Sequence, residues 1–322
     1  MPGGKQAFER KLEGLASLRA AHAPGTAPEA ALDPLRKALK DRSSYLVSKA
    51  AALAGDLGLT ALVPDLLHAF DHFMLEPVKT DPQCWAKNAI VKALKDLNYD
   101  DPAVFLRGIE HVQMEAVMGG SVDTALTLRG ACALALVACT LDRKTILTRL
   151  IDLLVDELPV RLDAITALGQ VPGLDTALLL RLKALLGDKE AEVTGRCFDA
   201  LLAMTPGESV GFVARFLEAK DPDVRVEAAG ALASSREPKA VDVLKQCFAG
   251  PADAILKTAI LQSLAGSPHL SAAEFLLSVV EEGSSEHAAI AGESLAKSRF
   301  REEFRERVGA AARRRGIGLL LS

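Results

Sequence analysis

The sequence predicts an all-α fold, a solenoid of about eight stacked helical hairpins. Two observations predict it: a short phrase of residues that recurs along the chain, and a composition rich in helix-forming residues. The chain has 322 residues, of which 49% are hydrophobic and only 4% aromatic. The hydrophobic fraction is largely alanine and leucine, and both residues favour helices. No run alternates convincingly with a period of two, so the sequence predicts no β-sheet.

The recurring phrase begins with an apolar residue, is often followed by Arg or Lys, and ends with a small residue before a leucine. Its clearest copy spans residues 224–232, with the sequence Val-Arg-Val-Glu-Ala-Ala-Gly-Ala-Leu. The closing leucines of successive copies are Leu94, Leu136, Leu168, Leu201, Leu232, Leu264 and Leu295. From Leu136 onward they are spaced by 32, 33, 31, 32 and 31 residues. A regular step of this length is typical of helical-hairpin repeats.

Each repeat is predicted to contain two helices. Positions 1, 5, 8, 9 and 12 of the phrase lie on one face of a helix with 3.6 residues per turn, so they are predicted to face the core. Asp221 is a candidate N-cap, and Pro222 suits the first turn of the helix that follows. The other helix of one repeat carries leucines at helical spacing: Leu178, Leu179, Leu182, Leu185 and Leu186.

These residues carry a resemblance to a known family. The runs Asp-Pro-Asp-Val-Arg at 221–225, Glu-Ala-Ala-Gly-Ala-Leu at 227–232 and Glu-Pro-Lys-Ala-Val at 237–241 resemble a HEAT repeat of the phycobilisome-lyase-like type. The resemblance is specific from about residue 158 to 297 and looser over 28–157. It implies an α-α superhelix, a HEAT-like solenoid. It also implies binding or scaffolding, although some members of the family attach bilins and distant relatives excise damaged bases.

The predicted organisation has three parts. Residues 1–27 form an N-terminal capping helix and loop, 28–300 form the repeat solenoid, and 301–322 form a C-terminal capping helix and tail. Charged terminal helices suit the open ends of a solenoid, which need a polar outer face. The segment 118–121, Met-Gly-Gly-Ser, is predicted to be a hinge between a looser N-terminal half and a regular C-terminal half.

Charge and hydropathy restrict the partners and the compartment. The formal net charge of −4 argues against nucleic acid or anionic lipid as a non-specific partner. No apolar stretch is long enough to cross a bilayer, and the N-terminus lacks the apolar region of a secretory signal. Five widely spaced cysteines do not form a disulfide framework. We therefore expect a cytoplasmic protein without membrane association.

A basic residue recurs at the second position of the phrase. Its copies are Lys87, Arg129, Arg161, Arg225 and Lys257. Stacked repeats would align these side chains into a basic ladder, which could bind anions or phosphates. Carboxylates of the adjoining turns could instead neutralise it, the candidates being Asp188, Asp221, Asp223 and Asp253. Because acids recur with the bases, the structural interpretation is favoured, but the sequence leaves both open.

Residues that could carry chemistry are few. His68 and His72 share a helix face, as zinc ligands do, but no third ligand follows at a motif spacing, so no metal site is predicted. Cys132 and Cys197 take the place of small core residues and are predicted to be buried. Cys84, at a helix start, is predicted to be the most accessible cysteine. No catalytic residues and no cofactor are predicted, and we expect a protein that is not an enzyme.

The candidate binding surface is an apolar helix face. Positions 3, 6, 7 and 10 of the phrase are predicted to face away from the core, yet in the middle repeats they are nearly all apolar. The candidate groove residues are Leu134, Val137, Leu162, Thr166, Phe198, Leu202 and Val226. Three interpretations stay open: close packing of a curved inner layer, a groove for an amphipathic helix or extended peptide, and a homodimer interface.

The predicted function is a non-enzymatic scaffold that binds a partner protein or peptide on its concave face. The alternatives are a bilin-lyase-like enzyme subunit and a nucleic-acid-binding HEAT-like protein. One Trp and two Tyr offer few platforms on which bases could stack, so nucleic acid is not the expected partner.

Overall fold

The computed structural model describes the backbone of residues 2–316 and the side chains from Gln6 to Gly316. Over this range the chain is all-α, as predicted, with 19 α-helices and one short β-hairpin. The helices pair in chain order into eight hairpins, between a leading and a trailing helix. The chain divides into two compact units, residues 1–167 and 168–322. The last residues of the predicted C-terminal tail lie outside the described range.

The first unit contains nine complete α-helices and most of a tenth. They are α1 (Pro2–Ala21), α2 (Leu32–Leu39), α3 (Ser44–Asp56), α4 (Val63–Met74), α5 (Pro77–Thr80), α6 (Trp85–Asp96), α7 (Ala103–Ile109), α8 (Leu126–Leu136), α9 (Arg143–Asp152) and α10 (Leu158–Gly169), within which the division falls. Short 3-10 helices lie at Glu29–Ala31, Thr60–Leu62, Pro82–Cys84 and Leu153–Val155.

The second unit contains nine further α-helices. They are α11 (Leu174–Leu186), α12 (Ala191–Met204), α13 (Pro206–Ala214), α14 (Pro222–Ser234), α15 (Lys239–Ala249), α16 (Ala254–Leu264), α17 (Leu270–Glu282), α18 (Ser285–Lys297) and α19 (Arg301–Arg315). A 3-10 helix at Arg215–Glu218 follows α13.

Side-chain caps start several of these helices. The predicted cap Asp221 accepts a hydrogen bond from the amide of Asp223, next to Pro222 in the first turn of α14. Ser43 caps α3 in the same way, by accepting from the amide of Leu46. Such caps satisfy amide groups that have no partner inside the helix, and each stabilises the fold by about 1 kcal/mol.

The core follows the phrase. In the copy that α8 carries, positions 1, 5, 8 and 9 are Leu128, Cys132, Ala135 and Leu136, and position 12 is Cys139 just after the helix; all five are buried. The helices that carry the phrase also pack side by side within each unit: α3 with α6 and α6 with α8 in the first, and α12 with α14, α14 with α16 and α16 with α18 in the second. We call each row a second-helix layer.

The prediction that the chain contains no sheet is wrong at one place. Strands β1 (Met114–Val117) and β2 (Gly120–Asp123) pair antiparallel, with Val117 opposite Gly120. Gly119 has a φ of +91°, which suits the two-residue turn between them. Most strand residues are exposed, so neither face needs the apolar alternation by which strands are recognised. The predicted hinge at 118–121 is therefore the turn of a hairpin within the first unit.

None of the helices between residues 2 and 316 combines the length and hydrophobicity that crossing a bilayer requires.

Candidate functional site

The residue that precedes each phrase lies on the exposed face of its helix in the second-helix layer. We call this residue position 0; it lies on the same helix face as positions 4 and 7. In the first unit, position 0 is Tyr45 in α3 and Trp85 in α6, and both rings are exposed. Lys49 at position 4 of α3 and Lys92 at position 7 of α6 are exposed beside them.

These residues surround an open cavity of about 580 Å³ formed by α3, α6 and α8. Its walls are mainly apolar and include the candidate groove residue Leu134 together with small residues of all three helices. Three lysines line it (Lys49, Lys92 and Lys95) and no acidic residue does. We call this cavity the lysine pocket.

The aromatic wall of the lysine pocket is held in place by ring contacts. The ring centroids of Tyr45 and Trp85 are 5.4 Å apart, with an angle of 57° between the planes. Phe8 of α1 extends the cluster, with its centroid 6.4 Å from that of Tyr45. The indole nitrogen of Trp85 donates to the side chain of Gln83 at 3.2 Å. Neighbours thus orient both exposed rings, which lowers the entropy cost of binding to them.

The charge of the lysine pocket is largely uncompensated. Lys49 places its ammonium nitrogen 5.1 Å from the centroid of the Tyr45 ring. Lys92 lies 3.8 Å from Asp96, a loose surface pair. Within residues 6–316, neither Lys49 nor Lys95 has a carboxylate within ion-pair distance. The floor also holds Asn88, whose Oδ1 is buried without a hydrogen-bond donor in that range. The pocket therefore favours a ligand that has negative charge, apolar surface and a hydrogen-bond donor.

The comparison with protein-family models finds a repeat family in the second unit. Residues 178–265 match the family model for HEAT repeats. These residues are similar to HEAT repeats. The chain also resembles, at 19% identity and a TM-score of 0.35, the complex of CpcE and CpcF of phycocyanin lyase from Nostoc sp. PCC7120, over 87% of this chain and 94% of that one. It resembles human deoxyhypusine hydroxylase in complex with glycerol at 20% identity and a TM-score of 0.30, over 80% and 89%. No curated protein sequence matches the chain.

Three of the predicted groove residues line three different cavities. Leu134 lines the lysine pocket, whereas Leu202 lines a cavity of about 410 Å³ with Asp199 and Arg236. Val226 lines another cavity of about 390 Å³, beside the exposed Ile255.

The other groove candidates are less accessible. Val137, Leu162 and Thr166 are half-buried, and Thr166 donates its hydroxyl to the carbonyl of Leu162 at 2.8 Å. Phe198 is buried, which contradicts the expectation that it faces an open groove, whereas Leu202 is 4% exposed and lines a cavity. The reason is local packing: the ring of Phe198 lies 4.6 Å, between centroids, from that of Phe216.

Close packing explains small residues at positions 3 and 10 of the phrase. A Cβ atom at Gly130 of α8 would collide with the carboxylate of Asp163, and one at Gly195 of α12 would collide with that of Glu227. At position 10, Gly55 of α3 would place a Cβ 3.3 Å from the Cβ of Ala93 in α6. Neighbouring second helices thus occupy the space that the sequence assigned to a groove.

Most of the basic ladder is part of the protein interior. Lys87 is buried with Asp81, at 3.0 Å. Arg129 is 4% exposed and binds Asp156 with two nitrogens and Asp123 with another, at 2.7–2.8 Å.

The remaining ladder residues also have neighbours. Arg161 donates to the carbonyl of Asp156 at 2.7 Å. Arg225 pairs with the predicted partner Asp253 at 2.7 Å, and Lys257 lies over the ring of Phe248. These contacts favour the structural interpretation of the ladder.

The cysteines and histidines offer little chemistry. Cys84 is buried, so the prediction that it is the most accessible cysteine is wrong: the carboxamide of Gln113 accepts a hydrogen bond from its thiol at 3.3 Å. Burial raises the pKa of the Cys84 thiol to about 11. Cys132 and Cys197 are buried, as predicted.

His68 and His72 are both exposed on α4. Among the described side chains, no group of three or more His, Cys, Asp or Glu residues is placed to hold a metal ion.

A sequence signal for the lysine pocket existed. Tyr45 and Trp85 both stand one residue before the phrase in consecutive copies, and Thr127 does so in the next copy. Equivalent positions of stacked repeats are neighbours in space. An alignment of the residues that precede each phrase would therefore have predicted that Trp85 and Tyr45 lie next to each other in the structure.

Proposed function

We propose that the protein is an interaction scaffold that binds an acidic segment of a partner protein in the lysine pocket. The observation that carries the proposal is the set of three lysines around the Tyr45 and Trp85 rings, with no acidic residue in the lining. Complementary charge steers such a segment to the pocket and fixes its register.

The dimensions and chemistry of the pocket suit a peptide. A cavity of about 580 Å³ accommodates a few side chains, and its apolar floor around Leu134 provides a place for one apolar anchor. Trp and Tyr side chains often dominate the binding energy of protein interfaces, since they bury much area at little entropy cost. Carboxylates that flank the anchor would then meet Lys49, Lys92 and Lys95 at the rim.

A protein partner is favoured over single-stranded nucleic acid by the arrangement of the rings. Successive bases need successive aromatic platforms along a basic groove. Here Tyr45 and Trp85 contact each other at a tilt and form one wall of one cavity. The net charge of −4 also gives no general attraction to a polyanion.

The test uses a fluorescent peptide in which glutamates alternate with leucine and phenylalanine, and the same peptide with glutamine in place of glutamate. We expect the wild-type protein to bind the acidic peptide and to bind the neutral one at least about tenfold more weakly. The variant Trp85→Ala and the double variant Lys49→Glu/Lys95→Glu should each weaken binding about tenfold or more. The matched control is Lys220→Glu/Lys239→Glu, two exposed lysines of the second unit.

Equal affinity for the two peptides, or full binding by the lysine-pocket variants, would contradict the proposal. Tighter binding of a single-stranded oligonucleotide than of the acidic peptide would favour the nucleic-acid alternative. A bound pigment, detected in the visible absorption spectrum after co-expression with bilin synthesis, would favour the bilin-lyase-like alternative.

A further inference from the structure

Helix α11 of the second unit exposes a row of leucines. Leu174, Leu178, Leu182, Leu185 and Leu186 leave between 53% and 76% of their surface open to solvent. The helical spacing correctly identified a helix here, but these side chains do not enter the core.

The exposed leucines share one face of α11. Their spacings of four, four, three and one residues follow the helical period. The opposite face is also apolar, because Ala177, Leu180 and Ala184 are buried, and α11 packs against α12. A solvated helix face is normally polar, and an apolar patch of this kind marks an interaction surface.

Helix α13 is joined to α11 through Arg181. Arg181 of α11 donates to the carbonyl of Glu208 at 3.2 Å and lies 4.9 Å from the ring centroid of Phe212. One turn apart on the exposed side of α13 are Gly207 and Gly211, and a Cβ at either would meet nothing within 4 Å. The exposed side of the neighbouring helix therefore carries two glycines, with the exposed Glu208 between them in sequence.

We propose that this α11–α13 face is a homodimer interface, in which the exposed leucines of each copy pack against the exposed glycines of the other. A two-fold interface needs both complementary shapes on the same surface, and this face has both.

The exposed area is compatible with a second copy as the occupant. The five leucines together leave open about as much surface as three complete leucine residues, which amounts to roughly 500 Å² per copy. Two copies would bury roughly 1,000 Å² from leucine alone, near the lower limit of specific interfaces, before α13 is included. A dimer of moderate affinity therefore needs no further partner. The proposal is independent of the lysine pocket.

The test is sedimentation velocity of the full chain over roughly 1–100 µM, a range that covers moderate dimer affinities. We expect the wild type to change from monomer to dimer with concentration and Leu178→Glu/Leu182→Glu to stay monomeric. Both leucines are exposed, so the variant should keep its fold, which circular dichroism verifies. The matched control is Val155→Glu, an exposed apolar residue of the first unit (89% exposed), which should dimerise like the wild type.

A second variant tests the other half of the interface without touching leucine. Gly211→Trp should fit on the open side of α13 and should prevent dimerisation by filling the space beside the glycines. A wild-type protein that is monomeric at every concentration would overturn the proposal. So would a dimer that persists in both Leu178→Glu/Leu182→Glu and Gly211→Trp. The lysine-pocket variant Lys49→Glu/Lys95→Glu should dimerise normally, so failure of one proposal is distinguishable from failure of the other.

Discussion

The ammonium nitrogen of Lys87 lies 3.0 Å from a carboxylate oxygen of Asp81, and neither side chain is exposed to solvent. The same carboxylate accepts hydrogen bonds from the amides of Ala86 and Lys87 at 2.9 and 3.0 Å, so it also caps the start of α6. Lys87 donates a further hydrogen bond to the carbonyl of Phe73 at 3.3 Å. The pair thus joins the end of α4 to the start of α6, the helix that presents Trp85.

Removal of one member of this buried pair should be more harmful than removal of both. Asp81→Ala leaves a buried ammonium group without its partner and should lower the free energy of unfolding by about 3–5 kcal/mol. Asp81→Ala/Lys87→Met should recover part of that loss, although the cap stays absent. Urea denaturation of the two variants and the wild type measures both effects. A double variant less stable than Asp81→Ala would show that the pair is not the main cause.

Glycines within the second-helix layer should be intolerant of a methyl group. Gly130→Ala and Gly195→Ala each place a Cβ against a carboxylate of the next helix, and we expect a loss of about 1–3 kcal/mol. Gly211→Ala is the matched control, because it lies in a helix with open space and should be stabilised by about 0.5–1 kcal/mol. Thermal denaturation of the three variants measures the difference. Equal effects at all three positions would contradict the packing explanation.

In the second unit, acids occupy two phrase positions at which the first unit has lysines. Glu227 stands at position 4, as Lys49 does, and Asp199 at position 7, as Lys92 does. Burial raises the pKa of Glu227, and the neighbouring carboxylates of Asp199 and Glu192 raise it further. The pKa of Asp199 is also raised, because the surrounding protein removes part of its hydration, although Arg196 opposes the shift. A carboxyl group whose pKa is raised by folding binds its proton more tightly in the folded protein. Its contribution to stability is therefore full at low pH and is lost as the pH rises through the folded pKa.

Glu227→Gln should remove this pH-dependent loss. At pH 7 we expect the variant to be more stable than the wild type by about 0.5 kcal/mol, a value reduced by the partial exposure of the group. The difference should disappear as the pH falls towards 4.5, the ordinary pKa of a glutamate. Melting temperatures of both proteins between pH 4 and pH 8 test this, with Glu237→Gln on the same unit as a control. A variant that is less stable at pH 7 would contradict the prediction.

The cysteines should react slowly and unequally in the native protein. Burial raises the pKa of Cys84 and Cys139 to about 11 and that of Cys197 to about 12, and it also raises the pKa of Cys132. Because the thiolate is the reactive form, all four should resist alkylation at pH 8. Only Cys247 is partly exposed, so mass spectrometry after a pulse of iodoacetamide should find it labelled first. Fast labelling of Cys84 would show that its helix start is open in solution.

The fold could be predicted because the spacing of apolar residues within the phrase indicates a helix, and the spacing between phrases gives the length of the repeat. The burial of Leu128, Cys132 and Leu136 follows directly from their spacing, as does the number of hairpins. The β-hairpin at 114–123 could not be predicted, since its residues are mostly exposed and it is fixed by long-range contacts. One of these is the hydrogen bond from the amide of Gln83 to the carboxylate of Glu115 at 2.6 Å.

The candidate site was predicted less well. Spacing shows which residues share a helix face, but it does not show whether that face contacts another helix or solvent. The sequence assigned positions 3, 6 and 10 to solvent, but each second helix has neighbours on two sides, and some of these residues, such as Gly130 and Ala133, are buried. At position 7, Leu134 lies in the lysine pocket. The leucines of α11 show the opposite error, since apolar spacing does not distinguish a core face from an unpartnered one.

Within each copy of the phrase, buried core residues are interspersed with residues that are exposed to solvent. Positions 1, 5, 8 and 9 form the core, whereas positions 0, 4 and 7 are open in the first unit and carry Tyr45, Lys49, Trp85, Lys92 and Leu134. Each repeat can therefore exchange about three side chains without altering its packing, so recognition can diverge in evolution while the architecture persists. For the same reason, randomising those three positions in α3, α6 and α8 would yield a combinatorial library of binders on an unchanged backbone.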